Sequence, residues 1–189
     1  MIRFANSILI GLMLVAPAWG ASTAEMRRQV DALGKDHTVP KLYAAEGWET
    51  KDGLRALYFD SVPYRGKPTR VFAWYGAPQK AGKHPGIVLV HGGGGSAYRE
   101  WVARWVSHGF AAISIAVEGQ TDRRNGKDWA RNEWGGPARD GIYGDTGLPL
   151  EDQWMYHAVA ATVRANSLLR GCRRWIQSAW GLRGFPGAG

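Results

Sequence analysis

The chain has a single cysteine, Cys172, among 189 residues. With no second thiol to pair with, the fold must be held by its core and not by an internal disulfide. The longest apolar run, Ile8–Ala16, is far shorter than the roughly 20 residues a membrane-spanning helix needs. No spacing of His, Cys, Asp and Glu suggests a metal site, so no metal and no cofactor is expected. A dense Lys/Arg run is also missing. The formal net charge is +8, but Arg3, Arg173, Arg174 and Arg183 lie near the ends, and residues 171–189 contain no acid. Setting those four arginines aside removes half the excess. The basicity is then a mild surface property, and no nucleic-acid partner is expected. Nowhere does the chain read G-x-S-x-G, the usual setting of a nucleophilic serine.

What is present favours a packed domain. Hydrophobic residues make up 45% of the chain, with ten tryptophans and 26 glycines, enough apolar material to exclude wholesale disorder. Arg3, the apolar run Ile8–Ala16 and the small residues Ala18 and Gly20 form the pattern of an export signal. Residues 1–20 are therefore expected to be a signal peptide. The mature protein would be secreted or periplasmic, with no stable membrane span after cleavage.

Patterning places the elements. Ala24–Leu33 suits a short helix. Leu54–Asp60 and Thr69–Tyr75 read as two strands of an antiparallel hairpin, with Pro63, Gly66 and Pro68 between them. Gly86–Val90 is a continuous, β-branched apolar run of the kind buried on both faces of a sheet. Trp101, Val102, Trp105 and Val106 form one helical stripe over Tyr98–His108, which Gly109 ends. Phe110–Val117 reads as a second buried strand, completing a strand–helix–strand unit of a parallel sheet. Residues 118–149, rich in Gly, Asp, Arg and Trp, read as one long functional loop. Helical spacing returns over Leu150–Arg170, with Trp154, Ala158, Ala161, Ala165 and Leu168 on one stripe.

The stretch Val90-His91-Gly92-Gly93-Gly94-Gly95-Ser96 concentrates the functional question. Successive glycines let something approach the backbone and turn N–H groups toward negative charge. A phosphate-binding loop is excluded by the missing lysine. A dinucleotide fingerprint fits better: Gly92, Gly94 and Ala97 match G-x-G-x-x-A, and Glu118 ends the next strand where a ribose-binding acid could sit. The third reading is an oxyanion hole, in which a buried strand ending in His-Gly-Gly-Gly aims its amides at an oxygen that becomes negative during acyl transfer. In the segment His84–Ile115, HPGIVLVHGGGGSAYREWVARWVSHGFAAISI, the chain resembles secreted α/β-hydrolases of the acetylxylan esterase, dienelactone hydrolase and prolyl-oligopeptidase-like group.

The resemblance implies the N-terminal part of an α/β-hydrolase sheet over residues 21–170: a hairpin plus parallel strands flanked by helices, incomplete. It implies serine hydrolysis of carboxylic esters, with a small-molecule or carbohydrate ester as substrate. Gly93 and Gly94 would be the oxyanion donors, His91, Gly92 and Gly95 the loop supporting them, and Glu118, Trp129 and Trp134 pocket candidates. The nucleophile, acid and base of that family have no counterpart here, so no catalytic residue is identifiable and the chain is expected to be inactive. Ser96 reads as a helix N-cap, His157 lies on a helix, and Asp122, Asp128, Asp140 and Asp145 read as solvated loop acids. A dinucleotide-binding oxidoreductase fragment, or a carbohydrate-binding module using Trp129, Trp134 and Trp154, remain as alternatives.

Residues 171–189 contain no strand pattern and no acid. Read in the shifted frame, Trp175-Ile176 must give Asp and Trp180-Gly181 must give Gly. The codons of residues 183–189 permit Gly-Ile-Ser-Trp-Gly-Gly, which resembles the family's nucleophile turn. The segment is expected to be out of frame or disordered; a natural short tail is the other reading.

Overall fold

The computed structural model describes residues 21–48, 52–80 and 82–179, with side chains through residue 171. The expected signal peptide, and residues 180–189 of the expected out-of-frame segment, lie outside the described residues.

Helix α1 (Thr23–Lys35) is followed by strands β1 (Leu42–Ala44), β2 (Arg55–Asp60), β3 (Arg70–Gly76) and β4 (Gly86–Val90). Helix α2 (Arg99–Ser107) leads to β5 (Ala111–Ile115). A hairpin of β6 (Gln120–Asn125) and β7 (Asp128–Arg131) follows, then a short 3-10 turn (Leu150–Asp152) and α3 (Trp154–Ala179). The main sheet has the order β1-β2-β3-β5-β4. The expected hairpin forms with Arg55 opposite Tyr75 and Asp60 opposite Arg70. Strand β3 then pairs antiparallel with β5, and β4 pairs parallel with β5 from Gly86–Ala111 to Val90–Ile115. The expected incomplete α/β fold is what the chain adopts.

Alternation along the strands explains the two cores. Leu57, Phe59, Ala73, Tyr75, Ile113 and Ile115 point to one face and pack with Ala158, Ala161, Ala165 and Leu168 of α3. Their neighbours Ala56, Tyr58, Phe72, Trp74 and Ala112 point to the other face and pack with Val102, Trp105 and Val106 of α2. A sheet covered on both faces needs apolar residues at both parities, so its strands read as near-continuous apolar runs. The helix stripes predicted from the sequence are those that bury, except that Trp101 stays exposed.

Three expectations need correction. Strand β4 is covered on both faces but is an edge of this sheet, so its residues are half-buried or exposed, with Val90 42% exposed. The 118–149 segment is not all loop. Asn125-Gly126-Lys127-Asp128 closes a two-residue hairpin, with Gly126 at φ +64 supplying the backbone twist such turns require. Helix α3 continues past Arg170 to Ala179.

The first turn of α3 is held from a distance: Trp154 N–H donates to Asp145 Oδ2 at 2.5 Å, so Asp145 is a capping residue and not a solvated loop acid. Helix α1 joins α3 through Arg164 Nη2 and Asp36 Oδ2 at 3.2 Å. The Asp36 carboxyl lies below its usual range because the Thr38 hydroxyl donates to it, with Arg164 adding to the effect. Among the described residues no helix is long and apolar enough to cross a membrane.

Phe59 is fully buried between β2 and α3. Phe59→Ala should lower the unfolding free energy by about 3–5 kcal/mol. Val30→Ala, on the exposed face of α1, should change it by less than about 0.5 kcal/mol. Urea unfolding of the two variants measures both.

Candidate functional site

Three segments converge at the C-terminal ends of β4 and β5: the glycine loop 92–95, the corner 116–120, and the β6–β7 hairpin. His91 is the hinge between them. Its side chain is buried. Nδ1–H donates to the Gly92 carbonyl at 2.7 Å, and Nε2 accepts the Val117 N–H at 3.1 Å. The Gln120 amide reaches the same ring at 3.4 Å and donates to the Gly95 carbonyl at 2.7 Å. The histidine thus ties the end of β5 to the start of the glycine loop, and both its nitrogens are occupied by backbone.

What comes close to the glycines can now be named. A side chain at 93 would begin 1.7 Å from Arg139 Nη1, because that guanidinium lies against the Gly93 backbone. A side chain at 95 would begin 2.7 Å from His91 Cβ and 2.9 Å from its ring. Gly94 has φ +77, a left-handed conformation that disfavours any β-carbon. Gly92 and Gly94 both have open space where a side chain would begin, so at Gly94 the restriction is the backbone conformation and at Gly92 there is none. The approaching groups are the protein's own arginine and histidine.

The predicted donors differ in their surroundings. Gly94 N–H donates to Glu118 Oε1 at 3.0 Å, whereas among the described residues no acceptor takes the Gly93 N–H. Trp129 does reach this loop: its indole N–H donates to the Gly94 carbonyl at 2.9 Å, and Arg124 lies over its ring at 3.4 Å. Trp134 belongs to the α2-side core. It packs edge-on against Tyr58, with Arg70 above its ring at 4.5 Å. Glu118, Trp129 and the glycine loop come together; Trp134 serves packing. Trp154 sends its indole N–H to the Val117 carbonyl at 2.9 Å.

Residues that sequence reasoning passed over carry much of the site. Arg131 donates to the carbonyls of Glu118 at 2.5 Å and Gly136 at 2.7 Å. Asp122 is a bridge and not a solvated acid: Trp48 and Trp74 each donate an indole N–H to it at 2.5 Å. With Gly47, Asp52, Arg99 and Arg123, these three line an open hollow of about 420 Å³. Arg123 covers the Trp48 ring at 3.8 Å, and Arg99 meets Asp52 at 3.3 Å. Two cations and two anions leave the hollow without net charge. The sequence signal for these residues was weak, because their partners lie up to 76 positions away.

Neither Ser96 nor Ser114 is placed as a nucleophile. Ser96 is fully buried and donates to the Thr121 carbonyl at 2.8 Å, so it is not the helix cap expected. Ser114 is also fully buried and accepts the Tyr98 N–H at the entrance to α2. His157 is buried on α3, its Nε2–H on the Glu151 carbonyl at 2.8 Å and its ring against Tyr64. Burial holds its pKa below the ordinary histidine value. No three His, Cys, Asp or Glu side chains among the described residues gather as a metal-binding group.

Two substitutions separate the glycines. Gly95→Ala should destabilise the protein by roughly 1–3 kcal/mol through the His91 clash, while Gly92→Ala should be tolerated; thermal unfolding measures both. A pH series tests His157. Its folded pKa is lowered, so the unfolded chain takes up the proton first as pH falls. The stability the neutral ring contributes is complete above about pH 6.5 and declines below it. His157→Gln should flatten that part of the stability–pH curve.

Comparison with known proteins identifies the family. The model of the family described as acetyl xylan esterase (AXE1) matches residues 40–160. Among solved structures, the chain is similar to an acetyl xylan esterase from Paenibacillus sp. R4, with 21% identity over 84% of this chain and 49% of that one and a TM-score of 0.48. It is also similar to acetyl xylan esterase 1 from Thermoanaerobacterium sp. JW/SL YS485, with 16% identity over 80% of this chain and 51% of that one and a TM-score of 0.50. The chain spans about half the length of these structures, and identity at that level speaks for the fold alone.

Proposed function

Because the chain belongs to the acetyl xylan esterase family, we propose that it derives from a serine esterase acting on acetyl or other small acyl esters of carbohydrates, exported by its first 20 residues. The observation that carries the reading is the glycine loop at the end of a parallel strand, with an exposed Gly93 whose N–H meets no acceptor among the described residues. In this reading the Gly93 amide faces the oxygen that becomes negative during acyl transfer. Such a donor is worth about 3 kcal/mol of barrier when removed. The hollow lined by Asp52, Arg99, Asp122 and Arg123 carries two cations and two anions beside the Trp48 and Trp74 rings, a chemistry suited to a neutral polyhydroxyl group.

The dinucleotide alternative assigned Glu118 to a ribose. That carboxylate is turned back onto the Gly94 amide, and the sheet is mixed rather than all parallel. Neither feature supports it. The carbohydrate-binding module needed open indole faces, yet Trp129 lies beneath Arg124 and Trp134 beneath Arg70.

The chain itself we propose to be catalytically silent, since it has no G-x-S-x-G turn and the two serines beside the glycine loop and on β5, Ser96 and Ser114, are fully buried and engaged with backbone. The codon relation in residues 171–189 supports a shifted frame that would encode the nucleophile. Sequencing the DNA from the Ala165 codon past that of Gly189 tests this, followed by expression of the open frame. The expected frame encodes Gly-Ile-Ser-Trp-Gly and continues to an Asp and a His. Its product should release acetate from acetylated xylooligosaccharides and react with a fluorophosphonate probe, while the 189-residue chain does neither. Labelling of the 189-residue chain overturns its silence; an inert longer product overturns the esterase reading.

A further inference from the structure

The corner after β5 presents a half-buried carboxylate whose position is fixed by its own backbone. Glu118 N–H donates to Gln120 Oε1 at 2.8 Å, and the Glu118 carbonyl accepts from Arg131 Nη1 at 2.5 Å. Gln120 is in turn bound to the Gly95 carbonyl at 2.7 Å. With both backbone groups held, the side chain has a short, defined reach, and it ends with Oε1 3.0 Å from the Gly94 nitrogen. The Gly94 carbonyl is held as well, by the Trp129 indole at 2.9 Å. Both polar backbone atoms of one left-handed glycine are therefore gripped by side chains of the 118–131 segment.

A glycine turn at positive φ gathers N–H groups into a concavity that favours anions. Here a cation reinforces it, since the Arg139 guanidinium lies against Gly93. A hydrogen bond from an amide to an ionised carboxylate is about twice as strong as one to a neutral acceptor. The turn thus has the makings of an anion site, and the anion within reach is the protein's own.

We propose that the Gly93–Gly94 turn is a carboxylate-binding site and that Glu118 is its built-in ligand. Glu118 is a positioning residue: it fixes the orientation of the loop and withholds the Gly94 amide from any external oxygen, leaving the Gly93 amide as the outward donor. The ligand class that replaces it is a small monocarboxylate such as acetate. This inference stands apart from ester hydrolysis, because its readout is occupancy of the turn and not turnover.

The test uses the full chain labelled with nitrogen-15, following the Gly94 amide resonance and the unfolding temperature. In Glu118→Ala the Gly94 proton should move upfield as its acceptor is lost. Sodium acetate, titrated against sodium chloride at equal ionic strength, should return it toward the wild-type position with saturation and raise the unfolding temperature by mass action. The apparent acetate affinity should be at least about tenfold higher than in the wild type, where the site is filled. Glu118→Gln keeps an oxygen of the same reach. It should shift the Gly94 proton upfield by less and should respond little to acetate. Acetate that acts equally on wild type and Glu118→Ala, or on neither, overturns the proposal. Should Glu118→Ala not fold, an unchanged Gly94 resonance in Glu118→Gln overturns it instead.

Discussion

Strand β5 is the constraint on which the rest depends. It is paired on both sides, antiparallel to β3 and parallel to β4, and covered on both faces by α2 and α3. Ala112, Ile113, Ser114 and Ile115 are each no more than 1% exposed. A strand so enclosed has no freedom of register, because a slip by one residue would exchange the two cores. Its C-terminal end therefore delivers Val117, Glu118 and Gln120 to fixed positions beside the glycine loop. Even the one polar residue within it, Ser114, serves placement, accepting the Tyr98 N–H where α2 begins.

From that fixed end, the glycine loop is organised by packing and hydrogen bonding within the chain. His91 and Gln120 stitch the loop to the corner, and Glu118 and Trp129 hold Gly94 from either side. Arg131 braces the corner, with its pKa lowered by burial among carbonyl partners. The arrangement is preorganised: donors are already oriented before anything binds.

The parts legible in the sequence were those governed by local periodicity. The β2–β3 hairpin, the β4–α2–β5 unit and the buried stripe of α3 follow from apolar spacing alone, and the glycine run pointed correctly to close backbone approach. What escaped was set by distant partners. Asp122 looked like a loop acid because nothing nearby in sequence announces Trp48 and Trp74. Ser96 sits where an N-cap would, yet its hydroxyl is drawn to Thr121 across the sheet end. The β6–β7 hairpin was marked by Asn125-Gly126, a turn signal lost amid many other glycines. Strand β4 has the composition of an interior strand, and composition cannot tell how many neighbours a strand has in a given chain.

The contact between Arg139 and Gly93 has an evolutionary reading. The guanidinium stands 1.7 Å from where a β-carbon at 93 would begin, and it is the far end of a flexible side chain. A residue gained at 93 would therefore displace Arg139 before it disturbed the backbone of the loop. The cost of variation at 93 falls on the charge beside the turn and not on the turn's shape.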